Sequence, residues 1–186
     1  SLKKEIPALD AHAVQFIGLS PLVVLASSNA DGHMDASPRG GEPGFVKVLD
    51  AQPILVPDAP GNNRLDTFTN IVESGRAGAI FLVPGVDEAL RINGAASLRN
   101  DEAYTSLCEV NGRFPKLVVH IAVKEAYLHC AKAIMRADLW QPEAKVERSV
   151  LPTMNEMLRD QIGQTEPAEP QAEMRARHLS ELYLNQ

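Results

Sequence analysis

Hydrophobic and polar positions along this 186-residue chain follow two different periods, and the switches between them outline its elements. Leu9, Ala13, Phe16 and Ile17 recur at near-helical spacing behind Asp10, which predicts a first helix over residues 8–18, stopped by Ser20-Pro21. "LVVLASSN" is short and β-branched, and the turn "NADG" links it to a second strand, "HMDASPRG". After "GGEPG", the apolar runs "FVKVLD" and "PILVP" read as a hairpin. From residue 63 to 75 the period becomes helical: Leu65, Phe68, Ile71 and Val72 lie on one side, and Asp66, Thr69, Asn70 and Glu73 on the other. "AGAIFLVPG" returns to strand. In its partner, "EALRINGAASLR", Leu90, Ile92, Ala96 and Leu98 share one face, and Arg91, Asn93, Ser97 and Arg99 the other. A short helix from Asp101 to Val110 then leads into the long strand "KLVVHIAVKEAYLHC".

Six or seven antiparallel strands with flanking helices in a chain of this size favour a mainly β, small closed barrel over a sandwich or a parallel α/β sheet. Beyond Cys130 the pattern turns helical. "AKAIMRADLW" and "VLPTMNEMLRDQI" are amphipathic, and "GQTEPAEPQAE" is a polar, proline-rich linker or arm. "EMRARHLSELYLNQ" places Met174, Leu179, Leu182 and Tyr183 where a helix could bury them. The expected division is a barrel domain over residues 1–140 and a helical extension over 141–186. A small barrel leaves that extension little core to cover, so a second subunit is its expected docking surface.

Composition narrows the function. A formal charge of −6 and a pI near 5.4, with no cluster of Lys and Arg, argue against a nucleic-acid surface. No stretch approaches about 20 uninterrupted apolar residues, so no membrane partner is expected. The opening "SLKKEIPALDAHAV" also lacks the apolar core of a signal peptide. Two cysteines, Cys108 and Cys130, stand outside any metal-ligand spacing, so no metal is expected and a reducing, cytoplasmic setting fits. Cys130 reads as a small buried hydrophobe. His33, His120 and His129 have no carboxylate placed beside them by spacing and read as structural.

Three stretches carry candidate chemistry. In "PGNNRLD", Asn63 and Asp66 resemble a helix-capping pair, and Arg64 falls in the first turn. A cation beside the positive end of a helix is unfavourable unless an anion offsets it, and guanidinium suits phosphate oxygens; a surface pairing with Asp58 or Asp66 is the plainer alternative. In "DASPRGGEPG", Ser37 and Arg39 precede three glycines that would let backbone approach a flat ligand, although an ordinary inter-strand loop has the same composition. Arg91 lies opposite the apolar stripe of its strand, where simple exposure explains it equally well.

Together, "VVLASSNADGHMDASPRGG", "ILVPDAPGNNRLDTFTNI" and "GAIFLVPGVDEALRINGAA" resemble the FMN-binding split barrel of the pyridoxamine 5'-phosphate oxidase superfamily, closest to its bacterial flavin-nucleotide-binding branch. The resemblance covers roughly residues 10–140. It implies a six- to seven-stranded antiparallel split β-barrel and a homodimer with FMN in grooves along the subunit interface. The flavin phosphate would meet Arg64 and the helix start at Asn63, with Arg91 as a second cation. Ser37, Pro38, Arg39 and Gly40 would border the isoalloxazine ring. Lys132 and Arg136, in the helix after the last strand, become anion contacts, and Trp140 a stacking or interface residue, core packing being its other reading.

The departures from that family are equally specific. The basic R-x-V-L-L-K strand and S-R-K turn of pyridoxamine-phosphate oxidases are replaced here by "ASPRGG" and "NNR", and their arginine-rich ending has no counterpart in "SELYLNQ". Vitamin B6 synthesis is therefore not the expected reaction. The expectation is an FMN-dependent oxidoreductase acting on a small-molecule redox substrate, with no catalytic residue assigned. The alternatives are a flavin-nucleotide-binding protein that senses or stores the cofactor, or the same fold carrying haem or deazaflavin.

Overall fold

The computed structural model describes residues 4–50, 52–61 and 64–182. Helix α1 (Ala11–Leu19) is capped by Asp10, whose carboxylate accepts the Ala13 N–H at 2.8 Å. Strands β1 (Leu22–Ser28), β2 (Met34–Gly40), β3 (Lys47–Val48) and β4 (Pro53–Pro57) follow. Helix α2 (Asp66–Ser74) then crosses to β5 (Arg76–Leu82) and β6 (Ala89–Arg99). A short helix, α3 (Glu102–Thr105), continues into a 3₁₀ turn and precedes β7 (Val118–His129). Helices α4 (Lys132–Ala137), α5 (Met154–Ile162) and α6 (Gln171–Glu181) make up the C-terminal region.

All seven strands belong to one antiparallel sheet in the order β2-β1-β5-β6-β7-β4-β3. The two ends of that order, β2 and β3, are consecutive in sequence but not hydrogen-bonded to each other. The barrel is therefore split, where the strand count alone predicted closure. Leaving this gap keeps one edge of β2 unpaired, with main-chain N–H and C=O groups available to another molecule.

Period-2 alternation turns Val23, Leu25, Phe81, Leu90, Ile92 and Ile121 inward, each at most 1% exposed, around Ile17 of α1 and Ile71 of α2. The hydroxyl of Ser20 donates to the carbonyls of Leu22 and Leu82 (2.7 Å each), pinning the exit of α1 to the ends of β1 and β5. Strand β7 carries one residue more than β6 between Asn93 and Gly94, and this bulge falls at Lys124. Its inward positions accordingly shift from Val119, Ile121 and Val123 to Ala126. The bulge lets an 11-residue and a 12-residue strand stay paired along their whole length.

Cys108, not Cys130, is the buried cysteine: it packs with Leu55 and Val118, and burial pushes its thiol up to about 11. Cys130 is exposed, because it follows the end of β7 where the chain leaves the sheet. His120 stacks edge-on against Tyr104 at 5.5 Å between ring centroids. Partial burial, and then the Arg99 guanidinium, hold its imidazole below the usual histidine range. The unfolded chain therefore binds this proton more readily than the folded one. The associated stability is complete above the ordinary histidine pKa and is lost as pH falls from there through the lower folded value. In urea melts at a series of pH values, His120→Gln should flatten that acid-side loss; an unchanged slope would remove His120 as its source.

The C-terminal helices bury little. Among the four positions expected to be covered, Met174 is 6% exposed, whereas Leu179 and Leu182 stay half exposed, and Tyr183 lies outside the described residues. No element of the C-terminal region makes an extensive contact with the sheet. No helix of the described residues is long and apolar enough to cross a membrane.

Candidate functional site

The alternation of β2 divides "SPRG" between two faces. Asp35, Ser37 and Arg39 point toward α2 and are half-buried, whereas Ala36, Pro38 and Gly40 point outward and are exposed. Arg39 is held by three features. Its guanidinium lies 3.5 Å from the Asp58 carboxylate and 5.2 Å from the centroid of the Phe68 ring, and its Nε–H is buried without an acceptor among the described residues. An unsatisfied buried charged donor is costly, so its persistence calls for a reason. Burial raises the Asp58 carboxyl above the ordinary aspartate range, although the Arg39 charge pulls it the other way.

Helix α2 forms the wall facing β2. Thr67 is buried and its hydroxyl donates to the Asp35 carboxylate. Asn70, also buried, donates to the Ser27 hydroxyl at 3.1 Å, so polar side chains clamp α2 to β1 and β2 above the Ile71 anchor. Gly75, at φ 66°, closes the helix and its carbonyl accepts the Ala96 N–H at 2.8 Å.

The helix begins three residues later than its apolar period suggested. Leu65 occupies the N-cap position and its side chain makes no capping hydrogen bond; Asn63, expected to cap the helix, lies outside the described residues. Arg64 consequently precedes α2 instead of standing in its first turn. Its guanidinium donates to the Asp66 carboxylate at 2.8 Å, and its side chain is 74% exposed. The plainer expectation of a surface pairing with Asp66 thus describes this chain by itself. The start of α2 nevertheless combines first-turn amides that the Leu65 side chain does not cap with two guanidinium-bearing residues, Arg39 behind and Arg64 in front.

The remaining candidates lie elsewhere in the chain. Arg91 projects from the outer face of β6 and stacks over Tyr127 at 5.2 Å, in a cross-strand row with Ile80. Arg91 thus lies on the face of β6 opposite Leu90 and Ile92, which join Ile71 of α2 in the core. Lys132 and Arg136 are exposed on α4. Trp140 is half-buried and its indole N–H donates to the Val86 carbonyl at 2.8 Å, so it fastens the chain beyond α4 to the β5–β6 turn. A single copy of the chain brings Ser37, Arg39 and Arg64 to one edge and leaves Arg91, Lys132, Arg136 and Trp140 apart from it.

Asp35, Thr67 and Phe68 were not singled out by motif. The period of β2 was the available signal for Asp35, and Phe68 lies four residues after Arg64. Among the described residues, no group of three His, Cys, Asp or Glu side chains is placed to hold a metal ion. The outer face of β1, β5 and β6 carries a shallow groove of about 540 Å³, floored by Ala26, Gly78 and Gly94 and rimmed by Met34, Arg76 and Lys124.

A seven-stranded antiparallel sheet interrupted between β2 and β3, with helices at its flanks, is a mainly β split barrel. The family model described as pyridoxamine 5'-phosphate oxidase matches residues 9–130, which span every strand, and the chain belongs to that family. Among solved structures, tagged HupZ from Group A Streptococcus is 18% identical, with a TM-score of 0.53 and a match covering 65% of this chain and 99% of that one. A pyridoxamine 5'-phosphate oxidase candidate from Lactobacillus delbrueckii is 23% identical (TM-score 0.48; 67% and 98% covered). An FMN-binding protein from Syntrophomonas wolfei is 12% identical (TM-score 0.46; 63% and 81% covered). Likeness at these identities concerns the fold alone. No curated protein matches the sequence.

Proposed function

We propose that this protein binds FMN and acts as an FMN-dependent oxidoreductase on a small redox substrate, as a homodimer with the cofactor at the subunit interface. The observation that carries the reading is the buried Nε–H of Arg39, without an acceptor among the described residues, beside a helix start that the Leu65 side chain does not cap and that Arg64 flanks, in a chain of the pyridoxamine 5'-phosphate oxidase family. A phosphate dianion fits this donor set. It offers acceptors to Arg39, to Arg64 and to the first-turn amides of α2, and it would draw the two guanidinium groups from Asp58 and Asp66.

Asp35 limits the site. Its carboxylate already takes the Thr67 hydroxyl beside the same helix turn, so the phosphate must approach from the Arg64 side. The unpaired edge of β2 then offers the main-chain groups of Ala36 and Gly40 and the Pro38 carbonyl, proline having no N–H, to the polar rim of a planar ring, and Pro38 offers an apolar surface. Bound there, a flavin supplies hydride acceptance at N5 and reoxidation; the protein's part is orientation and exclusion of water. The second subunit would bring Arg91, Lys132, Arg136 or Trp140 toward the groove.

Titration with FMN, read by quenching of flavin fluorescence, tests the site. Arg64→Ala should weaken binding about ten- to a hundred-fold, the range for charge-assisted hydrogen bonds to phosphate. Absence of affinity for FMN in the parent protein, or an unchanged affinity in the variant, refutes the assignment. Bleaching by NADH or NADPH with recovery in air separates an oxidoreductase from a protein that senses or stores the cofactor. A Soret band in the purified protein would favour haem.

A further inference from the structure

We infer that the C-terminal arm formed by α5 and α6 packs across the outer face of β2, β1 and β5 of a second copy of the chain, covering the Ala26 and Gly78 side of the groove that continues onto β6. The inference rests on the dimeric part of the proposed function and adds which segment makes the contact and where.

The arm is built to hold a shape. Thr153 and Glu156 form a complete capping box at the start of α5, and Gly163 closes it at φ 68°. Asn155 donates to Glu169, whose carboxylate also receives Arg177 of α6 at 2.9 Å. Arg148 donates to the Leu151 and Pro152 carbonyls at 2.9 Å each, and to Gln171. Despite this order, α5 buries no residue, and its apolar stripe Met154, Leu158 and Ile162 is 46%, 43% and 65% exposed. A nine-residue helix is not stable in water without packing, so the stripe needs a cover.

The sheet offers a matching surface. The register aligns Ala36, Ala26 and Gly78 across β2, β1 and β5, and the adjoining row aligns Pro38, Val24 and Ile80. The first row is a furrow of small side chains, the second an apolar ridge beside it. Three strands span about 10 Å, and a stripe at positions i, i+4 and i+8 runs about 12 Å, so one face of α5 covers the furrow from end to end. Charge agrees in sign with this seating: residues 141–182 carry eight acidic against five basic side chains, and the groove is lined by Arg76 and Lys124 against the single carboxylate of Glu125. The same chain does not supply the cover: among the described residues its arm makes no extensive contact with its own sheet.

The test uses the full chain with Cys130→Ser, which removes the exposed thiol and leaves the buried Cys108. Adding Ala36→Cys and Leu158→Cys should produce, on mild oxidation, a disulfide-linked dimer on non-reducing gels that neither single substitution forms. Leu158→Asp should weaken the dimer at least tenfold in sedimentation equilibrium. A disulfide within one chain, a dimer linked through Leu158→Cys alone, or a dimer unaffected by Leu158→Asp would each overturn the inference. FMN titration of the same proteins separates the two readings: cross-linking without flavin affinity sinks the cofactor assignment alone, and flavin affinity without cross-linking sinks this one.

Discussion

Gly94→Ala should destabilise the protein by about 3 kcal/mol or more, a drop of roughly 6–12 °C in melting temperature for a chain of this size. The cause is close approach, not backbone conformation. A Cβ at residue 94 would lie 2.3 Å from the Ala122 carbonyl oxygen, 2.9 Å from its carbon and 2.9 Å from Cγ2 of Ile121. Two of these three atoms are main chain in the neighbouring strand, so relief requires β6 and β7 to separate at the Lys124 bulge. Gly18→Ala makes the control: nothing stands within 4 Å of its Cβ, the site is inside α1, and alanine there should gain about 0.5–1 kcal/mol. Opposite signs in urea melts would support the reading. A Gly94→Ala protein as stable as its parent would show that the strands yield at little cost.

Ile71→Ala should cost about 2–4 kcal/mol, because the side chain is 2% exposed in the main core and its loss leaves a cavity beneath α2. The consequence reaches the candidate site. Phe68, one turn earlier, carries the ring over which Arg39 lies, and the polar clamps of Thr67 and Asn70 assume a docked helix. Amide hydrogen exchange should therefore quicken first in α2 and in its neighbours β1 and β2, while β6 and β7 keep the protection of the parent. Uniform loss across the sheet would mean that α2 and the sheet open as one unit, and that the site is no softer than the core.

Local pattern determined most of the elements of this protein. Period-2 stretches placed the strands, period-3.6 stretches placed the helices, and the alternation in β6 assigned its faces correctly, since Leu90, Ile92 and Ala96 are buried and Arg91 and Asn93 lie on the other side. These features are legible because each depends on the side chains of the segment itself. The motifs "SPRGG", "PGNNRLD" and "RINGAA" likewise pointed to the pyridoxamine 5'-phosphate oxidase family, which the match over residues 9–130 shows.

Tertiary structure decided what depends on partners distant in sequence. Strand order left the barrel open between β2 and β3, a matter of pairing that no local period encodes. Helix α2 starts at Asp66, and its docking on β1 and β2 through Asp35 and Ser27 joins residues more than thirty positions apart. Cys130 is exposed where its sequence suggested burial, and Cys108 is buried, because burial is set by which strand covers a residue, and Leu55 and Val118 cover Cys108. Arg39 gained its buried, half-satisfied setting only when Asp58 and Phe68, 19 and 29 positions away, folded around it. A side chain's neighbours in sequence establish its local geometry, whereas its charge state, exposure and hydrogen-bond partners arise from whichever elements the fold packs against it.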